Sequence, residues 1–158
     1  IDPDGKRVKK VSDGTTTYYI RGADGSVLEE YDGTGSLTST YIYTGSRRLA
    51  KIEDDTTQYY VQDHLGNTRA LMAESGTVVS TMDYWPYGAM LSQTGSGDTR
   101  FKYTGHERDD ESALDYMLAR MYEHETGRFM QMDPLAGKYP CNPPRFRTTD
   151  KLVFPTGY

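Results

Sequence analysis

The side chains best suited to catalysis are the histidines that stand beside carboxylates. His64 follows Asp63 in a segment that ends with Gly66 and Asn67, a composition typical of a turn. Catalysis of the Ser–His–Asp type needs a positioned nucleophile near the histidine, and no residue in the sequence stands out for that role. We therefore interpret His64 as a turn residue whose ring bonds to the backbone.

A metal site is the second kind of chemistry that the histidines suggest. His124 and Glu125 begin a pattern that resembles a zinc-protease motif, but Arg128 stands where the second histidine is required. His106 lacks ligand spacing, and Cys141 is the single cysteine. The sequence therefore predicts neither a metal site nor a cofactor, and one cysteine excludes an intramolecular disulfide.

A dense run of charge forms the third candidate. Glu107, Arg108 and Asp109 are consecutive, and Arg120 and Arg128 add further basic groups in the same region. Such residues either pair with one another and pin neighbouring strands, or are solvated at the surface.

Composition restricts the class of protein. The 158-residue chain has a net charge of -5 and an aromatic content of 12%, with 14 tyrosines and 16 glycines. Aromatic residues argue against disorder, and tyrosine with glycine favours short strands joined by tight turns. Basic residues cluster only over 6–10 and 145–147, so nucleic-acid binding is not expected. No run of about 20 apolar residues is present, so no membrane span is predicted.

A strand–turn–strand rhythm organises most of the chain. Thr17–Arg21 and Val27–Tyr31 are β-prone runs joined by Asp24 and Gly25, a strong hairpin signal. The rhythm continues at a period of about 20 residues, at the low end for repeat architectures. Further strands are predicted over residues 37–43, 48–52, 58–61, 68–72 and 78–84.

The predicted strand from Leu37 to Tyr43 has no purely apolar face. Ser39 and Tyr41 share the face of Leu37, and Ile42 lies among threonines on the other. One such hairpin cannot bury a core alone, so neighbouring units must lie side by side. The predicted fold class is therefore mainly β, with antiparallel β-hairpin repeats that form a curved or spiralling sheet.

Beyond residue 92 the pattern changes. Residues 93–99 have the composition of a loop, Arg100–Tyr103 resembles a strand, and Glu107–Glu111 is predicted to be a charged turn. Periodicity predicts a short helix near residues 112–124, whereas the resemblance described next implies strands there, and both interpretations stay open. The residues at helical spacing are Leu114, Met117, Leu118 and Met121.

Ordered motifs from about Tyr59 to Pro140 resemble the Rhs repeat-associated core. They occupy residues 60–71, 83–88, 100–109, 119–122, 127–129 and 132–137. Upstream, Tyr31–Leu37 is similar to the YD repeat of the same family. The resemblance divides the chain into YD-like hairpins over 1–58, the core over 59–139, and an irregular, divergent tail over 140–158.

The resemblance implies a hollow shell of β-hairpins in a secreted or cell-surface bacterial protein. Its expected partners are the rest of the parent shell and a C-terminal passenger, often a toxin, that the shell encloses or presents. The resemblance also favours pinning by the charged run. It implies a structural motif made of Asp63, His64, Gly66, Asn67, Arg69, Tyr84, Pro86, Gly88, Gly105, Glu107, Arg108, Asp109, Arg120, Gly127, Arg128, Phe129 and Pro134.

Asp133 receives a catalytic role from the same resemblance. It opens Asp133–Gly137, which is similar to the family's first Asp-Pro-x-Gly motif, and would be one carboxylate of an aspartyl-type centre that cuts the chain once. Such a centre needs a second carboxylate, one acting as acid and one as base. The second motif here, Phe154–Gly157, has phenylalanine in place of aspartate. We therefore favour a structural role, with self-cleavage as the alternative and a turn as the simpler interpretation of Asp133.

A third hypothesis is a surface adhesin. The tyrosines and Trp85 offer aromatic faces to a glycan or a surface protein, although tyrosine at strand spacing is more often part of sheet packing. The chain begins in the middle of a repeat pattern, as a fragment would. Sheet edges left unpaired in such a fragment are expected to cause self-association.

Overall fold

The computed structural model describes residues 1–2 and 5–133, which form two antiparallel sheets. Nine strands follow one another in the first sheet: β1 (Lys9–Ser12), β2 (Thr15–Arg21), β3 (Val27–Asp32), β4 (Leu37–Thr44), β5 (Arg47–Glu53), β6 (Thr56–Gln62), β7 (Thr68–Ala73), β8 (Val78–Tyr84) and β9 (Met90–Gly95). The second sheet contains β10 (Glu107–Asp109), β11 (Leu114–Met117), β12 (Arg120–Glu123) and β13 (Arg128–Phe129). The prediction of antiparallel hairpin repeats is confirmed.

Five hairpins of the first sheet are closed by one type of loop. Its five residues carry a glycine at the fourth position, with φ between 84° and 98°. The first residue donates its N–H to the carbonyl of the fifth, and the glycine donates to the carbonyl of the first. A residue without Cβ is needed at such φ angles, so the glycine spacing encodes the loop. The loops span residues 22–26, 32–36, 63–67, 73–77 and 85–89.

A register shift accompanies each of these five loops. A shift of this kind is a β-bulge, which increases the local right-handed twist of the strand pair. An Asp at the first loop position strengthens two of the turns. Asp32 Oδ1 accepts from the backbone N–H groups of Thr34 at 2.8 Å and Ser36 at 2.9 Å.

One face of the first sheet, the inner face, contacts the segment that joins the two sheets. Phe101 of that segment packs edge-on against Tyr41, with ring centroids 5.2 Å apart. The Thr68 hydroxyl donates to the Phe101 carbonyl at 2.6 Å, and the Thr68 N–H donates to the Lys102 carbonyl at 3.0 Å. A second apolar cluster on the same sheet contains Tyr60, Leu71 and Met82.

Polar side chains share the inner face with these apolar groups. Glu30, Ser39, Arg48 and Ser80 are all buried. The mixed composition seen in the sequence is therefore real, and it requires partners for each buried polar group.

The helix considered for residues 112–124 is wrong. Two strands form instead, with Tyr116 paired to Met121, and they turn at Leu118, whose φ is 56°. The apolar residues that are spaced three and four apart belong to this hairpin. Tertiary contacts determine which of its residues are buried, and Asp115 is fully buried. Local helix propensity is a weak preference that such contacts override.

Three neighbouring segments also differ from the sequence expectation. Arg100–Tyr103 forms no strand beyond a single bridge between Phe101 and Glu107, and a one-turn 3-10 helix covers Tyr103–Gly105. The charged run Glu107–Asp109 is the buried strand β10, and the turn begins only at Asp110. Part of the expected loop, up to Gly95, belongs to β9.

Strand β6 (Thr56–Gln62) continues the first sheet across residue 58, where the sequence analysis placed a boundary. The tail over residues 140–158 lies outside the described part of the chain. Within the described part, no helix is long and apolar enough to cross a membrane.

We expect Gly95→Ala to lower the free energy of unfolding by at least about 3 kcal/mol. Gly95 has a φ of +83°, and a Cβ there would lie 2.1 Å from the carbonyl oxygen of Val79. Gly76 is the control, because its φ is +84° and a Cβ would meet nothing within 4 Å. Gly76→Ala should cost only the strain of a positive φ, about 1 kcal/mol. Urea denaturation measures the free energy of unfolding of both variants. Equal losses would contradict the close approach of the Val79 carbonyl to Gly95.

Candidate functional site

Buried charges on β10 join the second sheet to the first. The Glu107 carboxylate accepts a hydrogen bond from the Tyr19 hydroxyl at 2.8 Å. Three guanidinium groups surround the same carboxylate at 3.6 Å each, those of Arg7, Arg21 and Arg100. Glu107 is only 3% exposed, so these contacts are shielded from water.

Asp109, two residues further along β10, binds the first residues of the chain. Arg7 donates to its two carboxylate oxygens at 2.7 and 2.5 Å, and Lys10 Nζ donates at 2.8 Å. The Arg7 guanidinium also lies over the Tyr116 ring, 4.1 Å from its centroid. Burial alone would raise the pKa of Asp109, but the hydrogen bonds and charges of Arg7 and Lys10 bring it below its ordinary value.

Glu30 of β3 completes this arrangement from the inner face of the first sheet. Arg100 Nη2 donates to its carboxylate at 2.8 Å, and the Tyr41 hydroxyl donates at 3.1 Å. Burial raises the pKa of Glu30 above its ordinary value despite the nearby Arg100 charge. We call the connected set the ionic clasp. Its members are Arg7, Lys10, Arg21, Glu30, Arg100, Glu107, Asp109 and Glu111.

Arg108 lies between the two clasp carboxylates in sequence but points into the second sheet. It binds Asp115 through two hydrogen bonds, at 2.7 and 3.0 Å, and donates to the Gly88 carbonyl at 2.9 Å. His124 Nδ1 lies 3.8 Å from the Asp115 carboxylate. Burial, together with the positive charge of Arg108, lowers the pKa of His124. The pair thus links β10, β11 and the β8–β9 turn.

Arg48 of β5 is held in a different way. Its guanidinium stacks on the Phe101 ring, 3.4 Å from the centroid, and donates to the Tyr43 hydroxyl at 3.2 and 3.1 Å. The rings of Tyr41 and Tyr60 lie 5.4 and 5.6 Å away. We call these four rings the aromatic cage, because cation–π attraction from several sides fixes the guanidinium.

The turn at residues 63–67 anchors the 3-10 segment. Asp63 accepts from the Asn67 amide at 2.8 Å, and Asn67 Oδ1 accepts from the Thr104 N–H at 2.7 Å. Gly66 and Gly105 face each other across this contact, both with positive φ. The His64 side chain is not part of the contact, because His64 is exposed.

The β8–β9 turn meets the same segment. The Tyr103 hydroxyl donates to the Pro86 carbonyl at 2.9 Å, and a Cβ on Gly88 would lie 2.4 Å from the Tyr103 ring. Tyr84 donates its hydroxyl to the Thr68 carbonyl at 2.9 Å. Gly88 is therefore required for ring-to-backbone packing as well as for its turn.

Other residues of the predicted motif lie at the periphery. Arg69 pairs with Asp83 on a partly exposed surface, and Arg128 and Phe129 of β13 are exposed. A Cβ on Gly127 would lie 2.9 Å from the Tyr87 ring. Pro134 lies outside the described residues.

Asp133 lies close to Arg120, whose Nη2 is 3.3 Å from the carboxylate. The Arg120 guanidinium also stacks on the Phe129 ring at 3.7 Å. The Asp133 side chain is 47% exposed, and Phe154–Gly157 lies outside the described residues. Among the described side chains, no group of three or more His, Cys, Asp or Glu is arranged to hold a metal.

Sequence reasoning missed the members of the clasp that come from distant parts of the chain. Arg7, Arg21, Glu30 and Arg100 were not singled out, nor was Arg48. A signal was available for Glu30, which lies on the inner face opposite Tyr19, its partner in the β2–β3 register. A charged residue at an inward-facing position of a strand indicates a buried partner.

Comparison with known proteins identifies a family model and several relatives that match this chain. The teneurin YD-shell family model matches residues 6–144. Salivary gland surface protein 1 of Aedes aegypti is 33% identical over 134 residues, covering 77% of this chain and 4% of that protein. The tRNA nuclease WapA of Bacillus subtilis is 34% identical over 141 residues, covering 86% of this chain and 6% of that protein.

Solved structures show the same fold. The Photorhabdus luminescens Tc holotoxin pore, with a TccC3 variant, matches with a TM-score of 0.64 at 16% identity, covering 88% of this chain and 8% of that one. The crystal structure of TcdB2-TccC3 matches with a TM-score of 0.60 at 16% identity, covering 83% of this chain and 7% of that one. The chain thus spans less than a tenth of each of these proteins. It belongs to the teneurin YD-shell family and is a structural module of an Rhs/YD-repeat shell.

Proposed function

We propose that this module forms part of the wall of a secreted or cell-surface shell that encloses or presents a C-terminal passenger. The ionic clasp is the observation that carries the proposal. The clasp connects β10 of the second sheet to β1, β2 and β3 of the first. In the Arg7–Asp109 contact it joins residues that are 102 positions apart in the sequence.

Placement of the charges supports a structural role for them. Glu107, Asp109 and Asp115 are all buried, and each is bound by at least one guanidinium. These guanidinium contacts offset the charges of the buried carboxylates, which supports a structural role. Removing one member would leave a buried charge unpaired, which is far more costly than the pair is favourable.

The relatives support a larger assembly. The curated proteins are many times longer than this chain, and one is named a nuclease. A passenger with an activity of its own, carried by a shell that contains this module, fits those lengths. Within the described residues, β1 and β9 each pair on one edge only, so the remaining edges suit pairing with further shell hairpins.

Self-cleavage at Asp133 is the second candidate. One observation favours it: the Arg120 guanidinium, itself stacked on Phe129, holds the partly exposed Asp133 carboxylate in a defined position. An aspartyl centre needs a carboxylate fixed in this way, together with a second one.

We expect Glu107→Gln to lower the free energy of unfolding by about 3–5 kcal/mol, because three arginines then lose their shared carboxylate. Glu53→Gln is the matched control. Glu53 also pairs with a cation, Lys51 at 2.8 Å, but its side chain is 52% exposed. Glu53→Gln should lower the free energy of unfolding by less than about 1 kcal/mol. Chemical denaturation gives both values, and a Glu107→Gln loss as small as the control would remove the clasp from the proposal.

The enclosure of a passenger is tested on a longer parent chain that contains this module. We expect the segment that follows the module to resist added protease in the intact parent. Glu107→Gln should make that segment cleavable, whereas Glu53→Gln should leave it protected. Rapid cleavage of the segment in the unaltered parent, with the shell itself intact, would show that no passenger is enclosed.

If the second candidate operates, the purified parent chain yields one defined cut on incubation without added protease. Asp133→Asn should then abolish the cut, whereas Asp110→Asn, which alters an exposed turn residue, should not. Mass spectrometry of the products locates the cut. A cut that persists in Asp133→Asn would remove Asp133 from the mechanism.

A further inference from the structure

Asp115 of β11 is the centre of a buried group of charges in the second sheet. Its side chain is fully buried, and both of its carboxylate oxygens bind the Arg108 guanidinium, at 2.7 and 3.0 Å. Arg108 Nη2, which donates to Asp115 Oδ2, also donates to the Gly88 carbonyl at 2.9 Å. Through this nitrogen, the Asp115–Arg108 pair connects the second sheet to the β8–β9 turn.

His124, the residue that follows β12, lies against this pair. Its side chain is 7% exposed, and Nδ1 is buried without a hydrogen-bond partner within the described part of the chain. Nδ1 lies 3.8 Å from Asp115 Oδ2, the oxygen that Arg108 Nη2 already contacts. On the other side of the ring, Nε2 lies 3.7 Å from the exposed carboxylate of Glu125. We call Arg108, Asp115 and His124 the Asp115 cluster.

The charges that face the His124 ring come from two neighbouring strands and from its own segment of the chain. They are Arg108 of β10, Asp115 of β11, Glu123 and Glu125. Burial and the Arg108 charge lower the pKa of His124 below its ordinary value, and the three carboxylates offset only part of this effect. Arg128 of β13, which pairs with Glu123 in the register, is exposed to solvent. The ring is therefore neutral near pH 7, and the Arg108–Asp115 pair is balanced.

Protonation of His124 would place a second cation in this cluster. Both ring nitrogens then carry hydrogen, and the charged Nδ1–H faces Asp115 Oδ2. Two cations would have to share that oxygen at a site that is shielded from water, where an unbalanced charge is costly. The cost falls if Arg108 gives up its contacts and the cluster opens to solvent. Opening of this kind would also break the Arg108 hydrogen bond to the Gly88 carbonyl.

A second histidine responds to acid in the same direction. Burial lowers the pKa of His106, the Arg48 charge lowers it further, and Asp115 offsets part of the shift. When the pKa of a histidine is lower in the folded state, the folded state binds fewer protons than the unfolded state. The stability that such a group contributes is complete above the ordinary pKa of about 6.5 and is lost as the pH falls below that value.

We propose that the Asp115 cluster is an acid-sensitive connection, in which protonation of His124 displaces Arg108 and releases the second sheet from the β8–β9 turn. Two observations carry the proposal: the unpartnered Nδ1 of His124, and its position against the oxygen that Arg108 occupies. The connection goes beyond the structural function proposed above, which requires no response to pH. It gives the shell wall a defined place that loosens in acid.

Hydrogen exchange of the purified chain at pH 7.5 and pH 5.5 tests the proposal, when it is read as protection factors that remove the intrinsic pH dependence of exchange. We expect the paired amides of β11 and β12 to lose more protection in the unaltered chain than in His124→Asn. The difference should be about three- to tenfold, because tenfold is the limit for one blocked histidine over this interval. Titration of His106 and of the carboxylates is common to both chains and cancels. His64→Asn is the control, since His64 is exposed, and it should behave as the unaltered chain does.

Two results of the exchange measurement would overturn the proposal. One is an equal loss of protection in the unaltered chain and in His124→Asn, or no loss in either. The other is a loss that depends on His124 but is just as large in β5 and β6, since acid would then unfold the whole chain and not this connection.

NMR titration of the unaltered chain remains decisive if His124→Asn does not fold. The chain contains three histidines, so the ring signals are few and can be assigned. We expect the midpoint of the His124 ring to lie below about 6.5, with the amide signals of Arg108 and Gly88 changing over the same pH range. A midpoint at or above that value, or Arg108 and Gly88 signals that do not follow the ring, would contradict the connection. Either result would leave the shell function intact, because that function rests on the ionic clasp.

Discussion

The structure depends on the need to neutralise charge on the inner face of a thin sheet. Glu30 of β3 is 1% exposed, and a carboxylate in that position is tolerable only when cations and hydroxyls surround it. Arg100 and Tyr41 supply these groups, and Arg100 brings the covering segment with it. Glu107 then shares the same arginine, so one continuous set of charges joins the two sheets.

Tyrosine has the properties that such a thin interior requires. Tyr19, Tyr41 and Tyr60 bury their rings on the inner face, and each hydroxyl reaches a polar partner: Glu107, Glu30 and Thr99 respectively. Burial raises the pKa of Tyr60, which keeps its hydroxyl neutral and able to donate. A single residue type thus provides both apolar area and hydrogen bonds to the charges, and this explains why tyrosines recur at the strand spacing of the repeats.

The hairpins were predictable because their signal is local. The glycine at the fourth loop position and the alternation along each strand fix turn and register within about ten residues. The region after residue 95 was not predictable in the same way. Glu107–Asp109 has the composition of a solvated turn, and it becomes a buried strand because arginines from distant parts of the chain surround its carboxylates. Likewise, the sequence showed the carboxylates on β10 but not Arg7, about a hundred residues away, which binds one of them in two places.

The need to pair buried charges also explains why ionic groups, and not apolar groups alone, join the two sheets. Apolar surfaces are non-directional, so hairpins of nearly equal shape would slide past one another by a repeat at little cost. The clasp differs, since its fit requires Glu107 to meet three particular guanidinium groups and Asp109 to meet Arg7 and Lys10 together. A shift of one hairpin would bury several unpaired charges at once. In a wall made of similar units, a charge pattern of this kind specifies where the covering sheet sits, and the repeated glycine loops alone contain no such information.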